Sequence, residues 1–245
     1  MPIEVSRMTE ADIDGAIDTI QEAFANDPYN QWVYPDRSKL NLTRNRVSLT
    51  LRCRWGITHG LFHVARDTSN PTKILGCAMW MPPHPRSQPD SWSLYLSYWW
   101  LWLGQIRMNL WYGRGGLSTK RYWIWKARQA DAQSALWTSE KGYYFCNIVT
   151  VLPEAQGMGV GRALMEEVLE QADKECVWCY LESSRKVPNV AIYEKFGFEL
   201  VREMPCGDGS KEEGQITLYC MMREPRPAKG GSAESSKVDG GAATN

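Results

Sequence analysis

The run Ile148-Val149-Thr150-Val151-Leu152-Pro153-Glu154-Ala155-Gln156-Gly157-Met158-Gly159-Val160-Gly161-Arg162 changes its character halfway along. Ile148 to Val151 are β-branched and read as a strand, which stops at Leu152 because Pro153 cannot donate to a ladder. After a polar link, Gly157, Gly159 and Gly161 lead into Leu164, Met165, Val168 and Leu169, which recur at helical spacing. Glycines between a strand and a helix allow a sharp turn and a close ligand approach. The helix start adds unpaired N–H groups and a partial positive charge. A phosphate or pyrophosphate is the ligand such a turn suits. A nucleoside-triphosphate loop is not supported, because Gly157 leads to Arg162 and Ala163 where that loop needs Gly-Lys and then Ser or Thr. In the dinucleotide fingerprint the third glycine would fall one residue later.

A second block follows at Tyr180-Leu181-Glu182-Ser183-Ser184 and Asn189-Val190-Ala191-Ile192-Tyr193-Glu194-Lys195-Phe196-Gly197-Phe198. It reads as a short buried strand from Val177 to Leu181, then a helix with Pro188 in its first turn and Gly197 at its stop. Together the two blocks resemble the GCN5-related N-acetyltransferases. The first matches that family's motif A, [QR]-x-x-G-x-[GA], through Gln156, Gly159 and Gly161. The second matches the "LYEKxGF" of motif B through Tyr193.

The resemblance implies a mixed α/β fold with a mostly antiparallel, twisted sheet, in which a parallel strand pair splays apart to admit acetyl-CoA as co-substrate. Backbone groups of Val149, Thr150 and Val151 would hold the pantetheine arm. Gln156, Gly157, Met158, Gly159, Val160, Gly161 and Arg162 would take the pyrophosphate. Tyr193 would protonate the leaving thiolate as general acid while a neutral amine attacks the thioester. Two departures stand out. Where the family often places a cofactor-binding asparagine, seven residues before the tyrosine, this chain has Lys186, and Asn189 is the nearest substitute. Tyr143 to Ile148 also contains no carboxylate to act as base, which leaves a water relay, a neutral acceptor, or Glu182, Asp27 or Asp36.

Composition narrows the classes further. Lys and Arg total 28 against 28 for Asp and Glu, so no basic surplus points to nucleic acid. The first residues lack a basic region followed by an apolar run, and a cytoplasmic protein is expected. Seven scattered cysteines then read as reduced, mostly buried thiols. Cys176 and Cys179 form one C-x-x-C without a second pair or nearby histidines, so no metal is expected.

Upstream, Ile3 to Arg7 alternates as a strand, and Thr9 opens a helix through Ile13, Ile17, Ile20 and Phe24. Ala23 to Asp36, bounded by Asp27-Pro28 and Pro35-Asp36, resembles the "AFxxDP" segment that lines the acceptor pocket in family members acting on small amines. Leu40 to Ile57 reads as a helix with a solvated basic face, and Leu61 to Ala65 and Ile74 to Met81 read as a strand pair.

Residues 90–138 read as an inserted helical hairpin whose turn is Gly113-Arg114-Gly115-Gly116. Its tryptophans are expected to bury the inner face and wall an apolar acceptor pocket. The apolar run from Leu94 is broken by Gln105 and Arg107, too early for the roughly 20 residues of a span, and membrane contact is not expected. Phe198 to Glu203 and Gln215 to Met222 complete the sheet around a Pro205 to Gly214 loop. The expectation is one domain over 1–223 and a disordered tail over 224–245. The acceptor is expected to be a small-molecule amine, and the oligomeric state is open. The competing readings are a protein lysine or N-terminal acetyltransferase, a non-catalytic acyl-CoA-binding protein, and a membrane-surface protein.

Overall fold

The computed structural model describes residues 2–85, 87–89, 91–209 and 214–226. The strands are β1 (Ile3–Arg7), β2 (Leu61–Asp67), β3 (Asn70–Met81), β4 (Tyr143–Val151), β5 (Trp178–Ser183), β6 (Glu199–Gly207) and β7 (Gln215–Arg223). The helices are α1 (Ile13–Ala23), α2 (Pro28–Val33), α3 (Leu42–His59), α4 (Trp92–Tyr112), α5 (Thr119–Leu136), α6 (Val160–Glu175) and α7 (Asn189–Glu194). The strands form one sheet in the order β1-β2-β3-β4-β5-β7-β6. Only β4 and β5 are parallel neighbours among these pairs. This is the mixed α/β architecture expected from the two motif blocks.

Each face of the sheet buries a helical layer, following the period-2 alternation of the strands. On one face Ala78, Trp80, Tyr144, Cys146, Cys179 and Leu181 pack against α6 through Val160, Leu164, Met165 and Val168. On the other face, Phe62, Val64, Cys77 and Met79 pack against α1 residues such as Ile17 and Ile20. Towards the far edge of that face, Tyr143, Tyr180, Leu218 and Cys220 meet Trp32 of α2 and Ala132 of α5.

Three expectations change. Pro205 belongs to β6 and pairs in register with Thr217. It is tolerated because β6 is an edge strand, where a missing N–H can face outward. The arginines of α3 do not form one solvated face. Arg44 is buried and donates to Asn109 Oδ1 (2.6 Å), Gly113 O (3.3 Å) and Tyr34 Oη (3.3 Å), tying α3 to the hairpin turn. The hairpin tryptophans do not all turn inward either: Trp92, Trp100, Trp111 and Trp123 are exposed. Residues 227–245 of the expected disordered tail lie outside the described residues. No helix among the described residues is long and apolar enough to cross a membrane.

Helix α6 ends on Cys176, a non-glycine residue in the left-handed region at φ 54°, with Val177 N–H closing back onto Ala172 O at 2.9 Å. A β-carbon there is strained by about 1–2 kcal/mol, partly offset by the lower unfolded-state entropy of a non-glycine residue. Cys176→Gly is therefore expected to stabilise the protein by about 0.5–1 kcal/mol, raising Tm by roughly 1–4 °C. Calorimetry of the two proteins checks this, and a lower Tm for the variant would contradict it.

Candidate active site

Strands β4 and β5 run together only briefly. Tyr143, Tyr144, Phe145 and Cys146 pair with Trp178, Cys179, Tyr180 and Leu181, and the parallel register then stops. On its other side β4 stays paired with β3 out to Val151, but with a shift that leaves Asn147 as an extra residue between Cys146 and Ile148. An extra residue bends a strand and increases its twist. Beyond Asn147 the edge of β4 that faced β5 has no strand partner among the described residues, so Val149, Thr150 and Val151 offer backbone groups to a ligand that can add itself as a strand. Their side chains serve the fold: Val149 and Val151 pack on the α6 core, and the Thr150 hydroxyl lies 3.2 Å from Cys77 Sγ.

At the end of β4 the chain makes a short turn over Pro153–Ala155 and reaches the glycines. Gly157 and Gly159 have φ of 79° and 90°, a region that glycine enters without strain. Gly159 caps α6 with no side-chain hydrogen bond, and the first turn carries no acidic residue, which leaves its N–H groups free for an anion. A β-carbon on Gly161 would meet only Val151 Cγ2 at an ordinary 3.5 Å. The protein's own packing does not demand glycine there, and its absence of a Cβ leaves room for an anion to seat closely on the helix start. Val160 is buried and anchors the helix start, while Met158 and Arg162 are solvent-accessible beside the turn. These features fit the phosphate end and arm of a coenzyme A.

Two ionisable side chains meet the point where the strands part, from opposite faces. Tyr193, on α7, packs with the α6-side core and edge-on to Phe198 at 6.2 Å between centroids. Burial, and secondarily the neighbouring Cys146 thiol, push its pKa upward, so it is a phenol throughout the neutral range. Glu182 is the first β5 residue beyond the paired segment, and the alternation of the strand turns it to the other face. Tyr180 Oη donates to its Oε1 and Gln129 Nε2 to its Oε2, each at 2.9 Å. Lys126 Nζ in turn donates to Gln129 Oε1 at 3.0 Å. Burial raises the Glu182 pKa, and the hydrogen bonds from Gln129 and Tyr180 and the charge of Lys126 only partly oppose this. Burial likewise lowers the pKa of Lys126, with the charge of Arg52 adding to it.

Next to Glu182 on this face stands an aromatic wall. The Trp125 ring lies 5.0 Å from Tyr29 and 5.7 Å from Tyr122, and Lys126 sits over it at 4.7 Å. Tyr29 comes from α2, whose N-cap Asp27 accepts Asn30 N–H at 3.0 Å.

The other residues singled out in the sequence fall apart. Asp27 is buried and bonded to the Ser184 hydroxyl. Asp36 pairs with Lys39 at 2.9 Å beside the hairpin turn, where it lines a separate depression of about 570 Å³. Lys186 pairs with Glu203 at 2.9 Å. Asn189 donates to Ser183 Oγ at 3.1 Å and so braces the β5 end of the opening. All seven cysteines are free, and no cluster among the described residues could hold a metal. Sequence reasoning had Glu182 only as one of three candidate carboxylates, and it missed Gln129 and Lys126, which reach it from the inserted hairpin.

A family model described as an acetyltransferase (GNAT) domain matches residues 118–200, from the start of α5 to the start of β6. Similar solved structures include the histone acetyltransferase HPA2 and related acetyltransferase from Corynebacterium glutamicum, with 21% identity over 94% of this chain and 99% of that one at a TM-score of 0.60. An N-acetyltransferase from Staphylococcus aureus is 11% identical, with 92% and 100% of the two chains covered and a TM-score of 0.51. At these identities the likeness is one of fold.

Gly161→Glu separates the two reasons for glycine at the head of α6. A carboxylate in the first turn complements the helix dipole by about 0.3–1 kcal/mol, so the free protein is expected to keep or slightly raise its Tm. The same charge should weaken coenzyme A binding at least about tenfold by opposing the pyrophosphate. Titration calorimetry reads the affinity, and an unchanged Kd in the folded variant would place the pyrophosphate elsewhere.

Proposed function

We propose, from the premise that this chain carries a GNAT-type acetyltransferase domain, that it transfers an acetyl group from acetyl-CoA to a primary amine of a small, partly apolar acceptor. The observation that carries this reading is the parting of β4 and β5 at Asn147, with Glu182 and Tyr193 on opposite faces of the same point. Acetyl-CoA supplies a thioester carbonyl already activated for attack. The unpaired edge of β4 aligns its arm, and the first turn of α6 neutralises part of its phosphate charge.

Glu182 serves as the base that the β4 sequence lacks. Its raised pKa brings it nearer to neutrality than an exposed carboxylate, as a proton acceptor working near pH 7 requires. It takes the proton of the incoming ammonium, directly or through one water. The freed amine nitrogen bonds to the carbonyl carbon as the C–S bond breaks. Tyr193 gives its phenolic proton to the departing sulfur, its raised pKa having kept that proton in place until then. The second proton of the acylated nitrogen passes through water to the tyrosinate, which restores the phenol while Glu182 releases its own proton to solvent. Tyr29, Tyr122 and Trp125 give the acceptor an aromatic surface that excludes water around the nucleophile. An aromatic wall beside a half-buried carboxylate suits a small amine better than an extended peptide.

A screen of small amines against acetyl-CoA, reading free thiol, would supply the acceptor. With it, Tyr193→Phe is expected to lower kcat by about tenfold or more while leaving coenzyme A affinity nearly unchanged, since the ring packing survives. A folded, coenzyme-binding variant with unchanged kcat would remove Tyr193 from the chemistry.

The pH dependence tests Glu182. Because a base must be deprotonated to act, kcat/KM should rise with pH through its elevated pKa, placing the acidic limb above the ordinary value of 4.5. Glu182→Gln should lower kcat by about 10²-fold or more and abolish that limb. A limb that persists in this variant would assign it to another group.

A further inference from the structure

Helix α4 turns its tryptophans outward. The side of α4 towards α3 mixes polar and apolar residues: Trp55 Nε1 donates to Ser97 Oγ at 3.0 Å and the Trp55 ring lies 5.0 Å from Tyr98, Ser48 Oγ donates to Gln105 Oε1 at 2.8 Å, and Met108 is buried. Gly104 lies against Leu51, and Asn109 accepts from Arg44. The opposite face carries Trp92, Trp99, Trp100, Leu103, Leu110 and Trp111, all exposed, with Trp92, Leu110 and Trp111 each more than 80% accessible. Edge-to-face contacts link Trp92 to Tyr95 (6.0 Å), Tyr95 to Trp99 (6.2 Å) and Trp99 to Trp102 (5.3 Å). An exposed apolar patch of this kind marks an interaction surface.

Charge identifies the partner. From Trp92 to Ala130 the sequence contains Arg107, Arg114, Lys120, Arg121, Lys126 and Arg128, and no Asp or Glu. Arg121 and Lys120 are engaged with Asp208, and Lys126 lies in the active site. Arg107 belongs to the aromatic face itself, one turn beyond Leu103 and one turn before Trp111, and exposed Arg114 follows at its end. Asp36, which lines the depression beside Arg114, is already paired with Lys39. A second copy of this face would therefore bury arginines without a counter-charge. A negatively charged surface that accepts tryptophan and tyrosine side chains supplies what the face lacks.

We propose that the outer face of α4, with Arg107 and Arg114, docks in the plane of an anionic lipid bilayer. Trp and Tyr rings favour the headgroup boundary, where their apolar bodies are buried and their polar edges stay wet, and arginines reach lipid phosphates beside them. The interruption of the apolar run at Gln105 and Arg107, which excludes a span, does not hinder a helix lying flat.

The test is co-sedimentation of the full chain with phosphatidylcholine vesicles, with and without phosphatidylserine. Binding is expected to phosphatidylserine vesicles, weakening with salt and accompanied by a blue shift of tryptophan fluorescence. Arg107→Gln should lower the partition coefficient about fivefold. The double variant Trp100→Ser, Trp111→Ser should abolish binding while its Tm, with both residues at the surface, stays within a few degrees of the parent. Equal binding to both vesicle types, or binding that survives the double variant, would overturn the proposal. So would no binding together with a concentration-dependent dimer that the double variant breaks, since the face would then serve self-association.

Discussion

The extra residue at Asn147 is the constraint on which the active region depends. A parallel pair inside a sheet normally keeps its register to the strand ends, because each unpaired N–H or C=O has a cost unless water or a ligand meets it. Here β3 holds β4 from Phe145 to Val151, while β5 pairs it only from Tyr143 to Cys146. The shift also changes which face successive side chains occupy. Cys146, Val149 and Val151 belong to the α6 core, while Ile148 belongs to the α1 side. The unsatisfied edge of one strand thus becomes a fixed slot, closed at one end by paired strands and open at the other towards the glycine turn and the start of α6.

The parts legible in the sequence are those whose signal is local. The β-branched run, the glycines and the helix after them sit within one stretch, and the Tyr193 helix is bounded by Pro188 and Gly197. The surroundings of Glu182 could not be read in the same way. Gln129 stands 53 residues from it in the chain, on a helix whose composition announces aromatic packing and gives no sign of a carboxylate clamp. Helix α4 defeats pattern reading for a different reason: it is apolar at nearly every turn, so periodicity does not say which side faces inward. Small residues and hydrogen-bonding partners decide that, and both are set by α3. Arg44 was misjudged on the same ground, because its acceptors Asn109 and Gly113 come from the hairpin. Pro205 stays within a strand because no described strand pairs outside β6, a fact of sheet order and not of local sequence.

The clamp around Glu182 also bears on what leaves. Lys126 reaches the carboxylate through the Gln129 amide, which leaves part of its charge uncompensated in a half-buried place. Under the proposed function, an acceptor arriving as an ammonium would complete that balance and be held by it. The acetylated nitrogen would then be a neutral amide that keeps an N–H but no charge, so the ionic part of the attraction that favours entry would be lost with the reaction. In that reading the pocket would discriminate between substrate and product without any moving part, and departure of the product would follow from the charge change of the chemistry itself.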